Sequence, residues 1–237
     1  EDGADGLECD VRLTADGHLV CVHDRSIRRT SNGRGVVSTL ELAELERLDW
    51  GSWKNPWADL DDEGPDLAEV GVLTLDRLLQ VIATAPRPIE LAVETKHPTR
   101  YGGLVERRVV EVLAAHDVAS GSGGRVRVMS FSWASLRRLR GLAPALSTVY
   151  LLDRASRRLK TGELPRGVRA LGPSIDLVRR DRDLVARMHD RGHQVHVWTV
   201  NDPADVELCA DLGVDVLITD RPRDVRAQLA PRGRGET

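Results

Sequence analysis

Several kinds of residue and pattern that would announce a chemistry or a location are scarce in this sequence. Cysteine occurs three times in 237 residues, as Cys9, Cys21 and Cys209, with no C-x-x-C spacing. An odd, unpaired count excludes a disulfide framework and a zinc ribbon. No apolar run approaches the roughly 18 residues of a membrane span, so stable membrane insertion is not expected. The formal net charge is only -3, which supplies no basic field for nucleic acid or an anionic bilayer. No G-x-G-x-x-G or G-x-x-x-x-G-K-[ST] follows a strand-like run, which argues against a dinucleotide or P-loop site. No internal repeat is visible beyond the alternation described below. A secretory signal is also missing, although the chain opens at Glu1 in the middle of a pattern. Together with the unpaired cysteines, this leads us to expect a cytoplasmic protein whose native start lies upstream.

What remains is ordinary globular composition, 41% hydrophobic and 30% charged, enough to bury a full core. Strand-like runs lie at 6–13, 89–94, 125–131, 147–152, 168–172, 194–200 and 214–219, and "HLVCVHD" reads as a short extra run returning beside the first. Amphipathic helical patterns at 74–85, 102–117, 132–143, 181–192 and 202–213 fall between them, several opening on Ser, Thr or Asp. The arginines at 137, 138, 140, 179, 180 and 182 read as solvated helix faces. Strand and helix in alternation make a parallel sheet with helices outside. Such sheets close into a barrel at eight strands in about 250 residues. The expected fold is therefore a TIM (β/α)8 barrel with its first βα unit absent from this sequence; a doubly wound open sheet is the rival. Residues 1–230 are expected to form one domain and 231–237 a polar tail. Residues 25–70, with three of the five Trp, are too long for an ordinary loop and read as an insertion after the second strand, at the rim where barrel sites form.

Side chains two apart on a strand share a face. Glu8 and Asp10 therefore project together with Cys9 opposite, and "LAVETKHP" ends the next parallel strand with Glu94 and Lys96 in the same relation. Three carboxylates converging at one mouth repel one another unless a cation lies between them. Oxygen donors without Cys suit a hard divalent ion, Mg2+ or Ca2+. His23 closes "LVCVHD" near the same rim, where it could act as a general acid or base. His97 precedes Pro98, which hides its direction. Trp198 and Phe131, each at a strand end, read either as core filler or as a wall over the part of a substrate that is not phosphate. His18, His116, His189, His193 and His196 read as surface or packing residues.

These segments resemble the glycerophosphodiester phosphodiesterases, most closely the actinobacterial type: "GADGLECDVRLTADGHLVCVHD", "RRTSNGRG", "VETKHPTRYGGLVE", "VMSFSW", "VHVWTVND" and "GVDVLITDRP", in the family's order. The resemblance implies a metal-dependent TIM barrel that hydrolyses glycerophosphodiesters, such as glycerophosphocholine or glycerophosphoethanolamine, to glycerol 3-phosphate and an alcohol. Glu8, Asp10 and Glu94 match its metal ligands, His23 one of two catalytic histidines, and Lys96 the lysine that helps hold phosphate. Phe131 and Trp198 match pocket positions. The family's opening strand, ending His-Arg-Gly, has no counterpart here. Two rivals follow: a lysophospholipase D or sphingomyelinase-like phosphodiesterase on the same barrel, and a catalytically silent barrel that binds phosphodiesters.

Overall fold

The computed structural model describes residues 2–52, 54, 70–118, 125–155 and 157–230. Trp53, Trp57, most of the second half of the insertion and the tail at 231–237 lie outside the described residues.

One eight-stranded sheet organises the chain, in the order β2-β1-β3-β4-β5-β6-β7-β8. Its strands are β1 (Gly6–Leu13), β2 (Leu19–Cys21), β3 (Glu90–Thr95), β4 (Val126–Ser130), β5 (Ser147–Leu152), β6 (Ala170–Pro173), β7 (Gln194–Val197) and β8 (Val216–Leu217). Every pairing is parallel except that of β2 with β1, so the short run after β1 does return beside it. The main helices are α1 (Leu42–Leu45), α2 (Leu75–Ala83), α3 (Leu104–Ala115), α4 (Trp133–Leu142), α5 (Arg157–Thr161), α6 (Ile175–Arg180), α7 (Leu184–His189), α8 (Pro203–Asp211) and α9 (Pro222–Leu229). Thr74 and Ser132 cap α2 and α4, their hydroxyl oxygens accepting from Arg77 N at 3.1 Å and Ser135 N at 3.3 Å. Asp202, read from the sequence as a similar cap, makes no side-chain capping bond to α8.

Alternation along each strand sorts side chains into an outer and an inner layer. On the outer side, Val11 and Leu13 of β1, Leu91 and Val93 of β3 and Val128 of β4 pack with Leu75, Leu79, Val109 and Leu113 of the helices. Burying each such side chain is worth about 1.5–3 kcal/mol. The inner side is divided. Met129, Val149, Leu151 and Ala170 form an apolar plug with Ala92, Trp198 and Ile218. Gly172 belongs to this layer because an added Cβ would lie 2.5 Å from Leu151 Cδ2. His196 also points inward, nearly inaccessible, with neither ring nitrogen hydrogen-bonded among the described residues. Burial, reinforced by Arg127, pushes its pKa down to about 4.

The sheet curls. Asp2 pairs with Arg223 at 2.5 Å and Asp5 with Arg226 at 3.1 Å, joining the first described residues to α9. On the edge away from β3, β1 is paired only from Val11 to Leu13, by β2, and no ladder joins it to β8 among the described residues. This is the expected TIM barrel short of one βα unit, with the open seam between β8 and β1.

The solvated reading of the basic clusters needs correction at two places. Arg138 of α4 reaches the buried Glu106 of α3 at 3.1 Å, and Arg179 of α6 holds the buried Asp205 of α8 at 2.5 Å. Each stem runs along the surface while its guanidinium satisfies a carboxylate that has left water.

Candidate active site

β1 buries Val11 and Leu13 against helices, which leaves Glu8, Asp10 and Arg12 on the barrel side. Parallel register then places Asp10 directly beside Glu94, and Glu8 beside Ala92. One carboxylate oxygen from each of Glu8, Asp10 and Glu94 lies within 4.8 Å of the other two. Lys96, just past β3, puts its ammonium 2.8 Å from Asp10 Oδ1 and 2.9 Å from Glu94 Oε1.

One ammonium does not balance three acids. Burial pushes the Glu8 carboxyl up to about 8, and Asp10, Glu94 and Asp220 add to the rise against the pull of Lys96. Glu8 keeps an exposed face, so water screens part of that repulsion. Glu94 is also raised, mainly by burial, while Lys96 is held protonated by the acids it touches. Hard oxygen donors this close, with unneutralised charge, fit a divalent cation. Asp220, three residues past β8, adds its negative charge to the field on Glu8. Asn201 fixes that stretch: its carbonyl oxygen accepts from Thr219 Oγ1 and Asp220 N, each at 2.9 Å, and its amide donates to Asp220 Oδ2 at 2.8 Å.

His23 stands exposed beyond β2. Its Nδ1 donates to Asp24 Oδ1 at 2.8 Å, which leaves Nε2 as the free ring atom. Arg29 Nε donates to the other Asp24 oxygen at 2.6 Å. Arg29 and His23 together hold the Asp24 carboxyl well below its ordinary range. Arg12 ties this unit to the acid face by donating from Nε at 3.0 Å and Nη2 at 2.8 Å to the His23 carbonyl. The signal for Arg12 was present in the period of two, Glu8, Asp10, Arg12. Its partner, eleven residues on, was not readable.

Phe131 and Trp198, from opposite sides of the sheet order, meet edge to face with ring centroids 5.4 Å apart. Phe131 is 40% exposed, and the Trp198 indole donates to the Gly172 carbonyl at 2.8 Å. Trp198 thus packs against the inner plug and meets the half-exposed Phe131 with its ring. His97 turns away from the mouth, its Nε2 3.2 Å from Glu106. Cys9 faces the helices as expected and contacts the Cys21 thiol, a contact that, with burial, raises its pKa.

Three acids and one lysine on the inner face of the adjacent parallel strands β1 and β3, with a histidine held by Asp24 just beyond β2, make a candidate site for a divalent ion and an anionic substrate. The comparisons narrow that reading. Residues 1–224 match the Glycerophosphoryl diester phosphodiesterase family, and the chain belongs to that family. It is 42% identical over 97% of its length to 83% of a Mycobacterium tuberculosis protein named "Probable glycerophosphodiester phosphodiesterase 1". It is 31% identical to the Bacillus subtilis glycerophosphodiester phosphodiesterase, covering 92% of this chain and 74% of the relative. In three dimensions it matches a glycerophosphodiester phosphodiesterase from Parabacteroides distasonis with TM-score 0.77 and 27% identity, over 98% of this chain and 86% of the other. An Oleispira antarctica phosphodiesterase, solved with its product sn-glycerol-3-phosphate, matches with TM-score 0.79 and 24% identity over 97% and 86% of the chains. The chain is thus a phosphoric diester hydrolase of the glycerophosphodiester phosphodiesterase type, with a candidate metal cluster on a barrel. Among the described residues no helix is long and apolar enough to cross a membrane.

Proposed function

We propose that the chain hydrolyses small glycerophosphodiesters, such as glycerophosphocholine and glycerophosphoethanolamine, to glycerol 3-phosphate and the free alcohol. The observation that carries this reading is the convergence of Glu8, Asp10 and Glu94 around Lys96. Glu8, Asp10 and Glu94 hold Mg2+ or Ca2+, which when bound neutralises phosphate charge as it grows toward the transition state. Lys96, whose ammonium lies between Asp10 and Glu94, would offer its positive charge to a non-bridging phosphate oxygen beside the cluster. His23 transfers a proton through Nε2, its ring held by Asp24 and its backbone by Arg12. Phe131 and Trp198 form a wall for the carbon part of the substrate.

The test is release of glycerol 3-phosphate from glycerophosphocholine with Mg2+ or Ca2+ and again with a chelator. Chelator-sensitive release that His23→Ala lowers at least a hundredfold is the expected result, on the usual scale of general acid–base catalysis. Release that ignores the chelator would remove the metal from this account, and His23→Ala at full rate would remove the proton transfer. A folded, metal-binding chain without release would favour the silent binding barrel.

A further inference from the structure

A cleft of about 320 Å3 opens beside the acid face, between Val37–Thr39 of the insertion and the turn that follows β3. Its walls are tied together by the Tyr101 hydroxyl, which donates to the Ser38 carbonyl at 3.1 Å. Four cationic side chains line it, Arg12, Arg25, Lys96 and Arg100, and no acidic residue does among the described residues. Two of the four are occupied, since Lys96 faces Asp10 and Glu94 and Arg12 holds the His23 carbonyl. Arg25 and Arg100 are exposed and have no carboxylate at ion-pair distance among the described residues. Arg100 is braced by the Tyr101 ring, its guanidinium carbon 5.8 Å from the ring centroid.

We propose that this cleft binds a second phosphate, carried as a monoester on the leaving alcohol, and so favours glycerophosphodiesters of phosphorylated alcohols over the same diesters without that phosphate. The inference rests on the hydrolytic reading above for the position of the phosphodiester. Lys96 belongs to both places: its ammonium lies on the acid cluster, and the residue lines the cleft. A diester held at Lys96 therefore extends one of its two arms into the cleft. The glycerol arm carries no further charge, so the charged arm is the alcohol. Guanidinium forks match the oxygens of a phosphate monoester in pairs, which an uncharged hydroxyl in the same place does not use.

Two diesters that differ by one group provide the test: glycerophosphoglycerol, and the same molecule phosphorylated on its far hydroxyl. Their dissociation constants are measured by calorimetry with Mg2+ in the His23→Ala chain, which keeps the cluster and the cleft. The phosphorylated diester should bind about tenfold tighter, the scale of one or two charge-assisted hydrogen bonds partly screened by water. Arg25→Ala with Arg100→Ala should erase that advantage, whereas Arg28→Ala with Arg34→Ala, an equal charge change outside the cleft, should leave it. Equal affinities, or an advantage that survives loss of Arg25 and Arg100, would overturn the proposal. Turnover by the unsubstituted chain is read separately. Preferential binding without cleavage of either diester would keep the cleft and reject the hydrolytic reading; cleavage of both at equal affinity would do the reverse.

Discussion

Lys96 and His97 are neighbours in the chain, yet they serve two carboxylate clusters of opposite character. In front, at the mouth, Lys96 faces Asp10 and Glu94 with Glu8 beside them, three acids to one ammonium. Behind it, His97 and Arg138 converge on Glu106, a single acid with two basic partners and no exposure. The electrostatics separate accordingly. Glu8 is pushed up to about 8, first by burial and then by its acidic neighbours. Burial also works to raise Glu106, but His97, the backbone of its own helix and the Ser135 hydroxyl bring it down to about 2. The rear cluster sets a histidine and an arginine against one acid and links α3 to α4, although Glu106 Oε2 has no hydrogen-bond partner among the described residues. The front cluster is left short of positive charge, which a bound cation would supply.

The sharpest way to separate the two is to neutralise one acid in each. Glu8→Gln or Glu94→Gln should cut chelator-sensitive turnover by roughly a thousandfold or more, as expected when a preorganised charge interaction is lost. Thermal unfolding of the metal-free chain should change little. Glu106→Ala should do the opposite, costing about 2–5 kcal/mol because it empties a fully buried position and takes the acid from the largely buried His97, while Arg138 can turn back to water. That lowers the midpoint by roughly 10 °C in a chain of this size, while metal titration still shows a site.

Acid titration sharpens the contrast further, because two buried groups fail in different windows. Glu106 has an ordinary pKa of 4.5 and a native one of about 2. The stability its ionised form contributes is complete above the first value and is lost as pH falls toward the second. His196 goes from an ordinary 6.5 to about 4 in the barrel interior. Below 6.5 the unfolded chain binds a proton that the native chain refuses, so stability already declines between those values. His196→Leu should flatten that first decline by about 2–3 kcal/mol between pH 7 and pH 4.5, measured by urea unfolding, and leave the lower window in place. An unchanged pH profile would show that His196 finds a partner. The smallest effect is expected at Arg12, whose side-chain hydrogen bonds among the described residues go to the His23 carbonyl. Arg12→Ala should lower kcat about tenfold with metal affinity intact, the cost of a histidine held less well in place.

Much of this was legible in the residues. Period two in β1 and β3 put Glu8, Asp10 and Glu94 on one face, and the parallel register makes Asp10 and Glu94 direct neighbours. The antiparallel return of β2 and the helices from α2 to α4 were also readable, from apolar spacing and, for α2 and α4, from their Thr and Ser caps. Other features were not, the short α5 and the late α9 among them. α6, six residues long, gives less than two turns of pattern and sits against a strand end that reads as loop. The strand expected at 194–200 stops at Val197, because Trp198 turns its indole to Gly172 and makes only an isolated bridge to Ser174. The partners of Arg12, Arg138 and Arg179 depend on which helices and loops become neighbours, and charge alone does not say which arginine turns inward.

The account turns on whether the front cluster is a metal site. The direct measurement is calorimetric titration of Mg2+ and Ca2+ into the chelator-treated chain, with Glu94→Gln and Glu106→Gln alongside. The account predicts one site, lost in Glu94→Gln and retained in Glu106→Gln; an isotherm that Glu94→Gln leaves unchanged would contradict it.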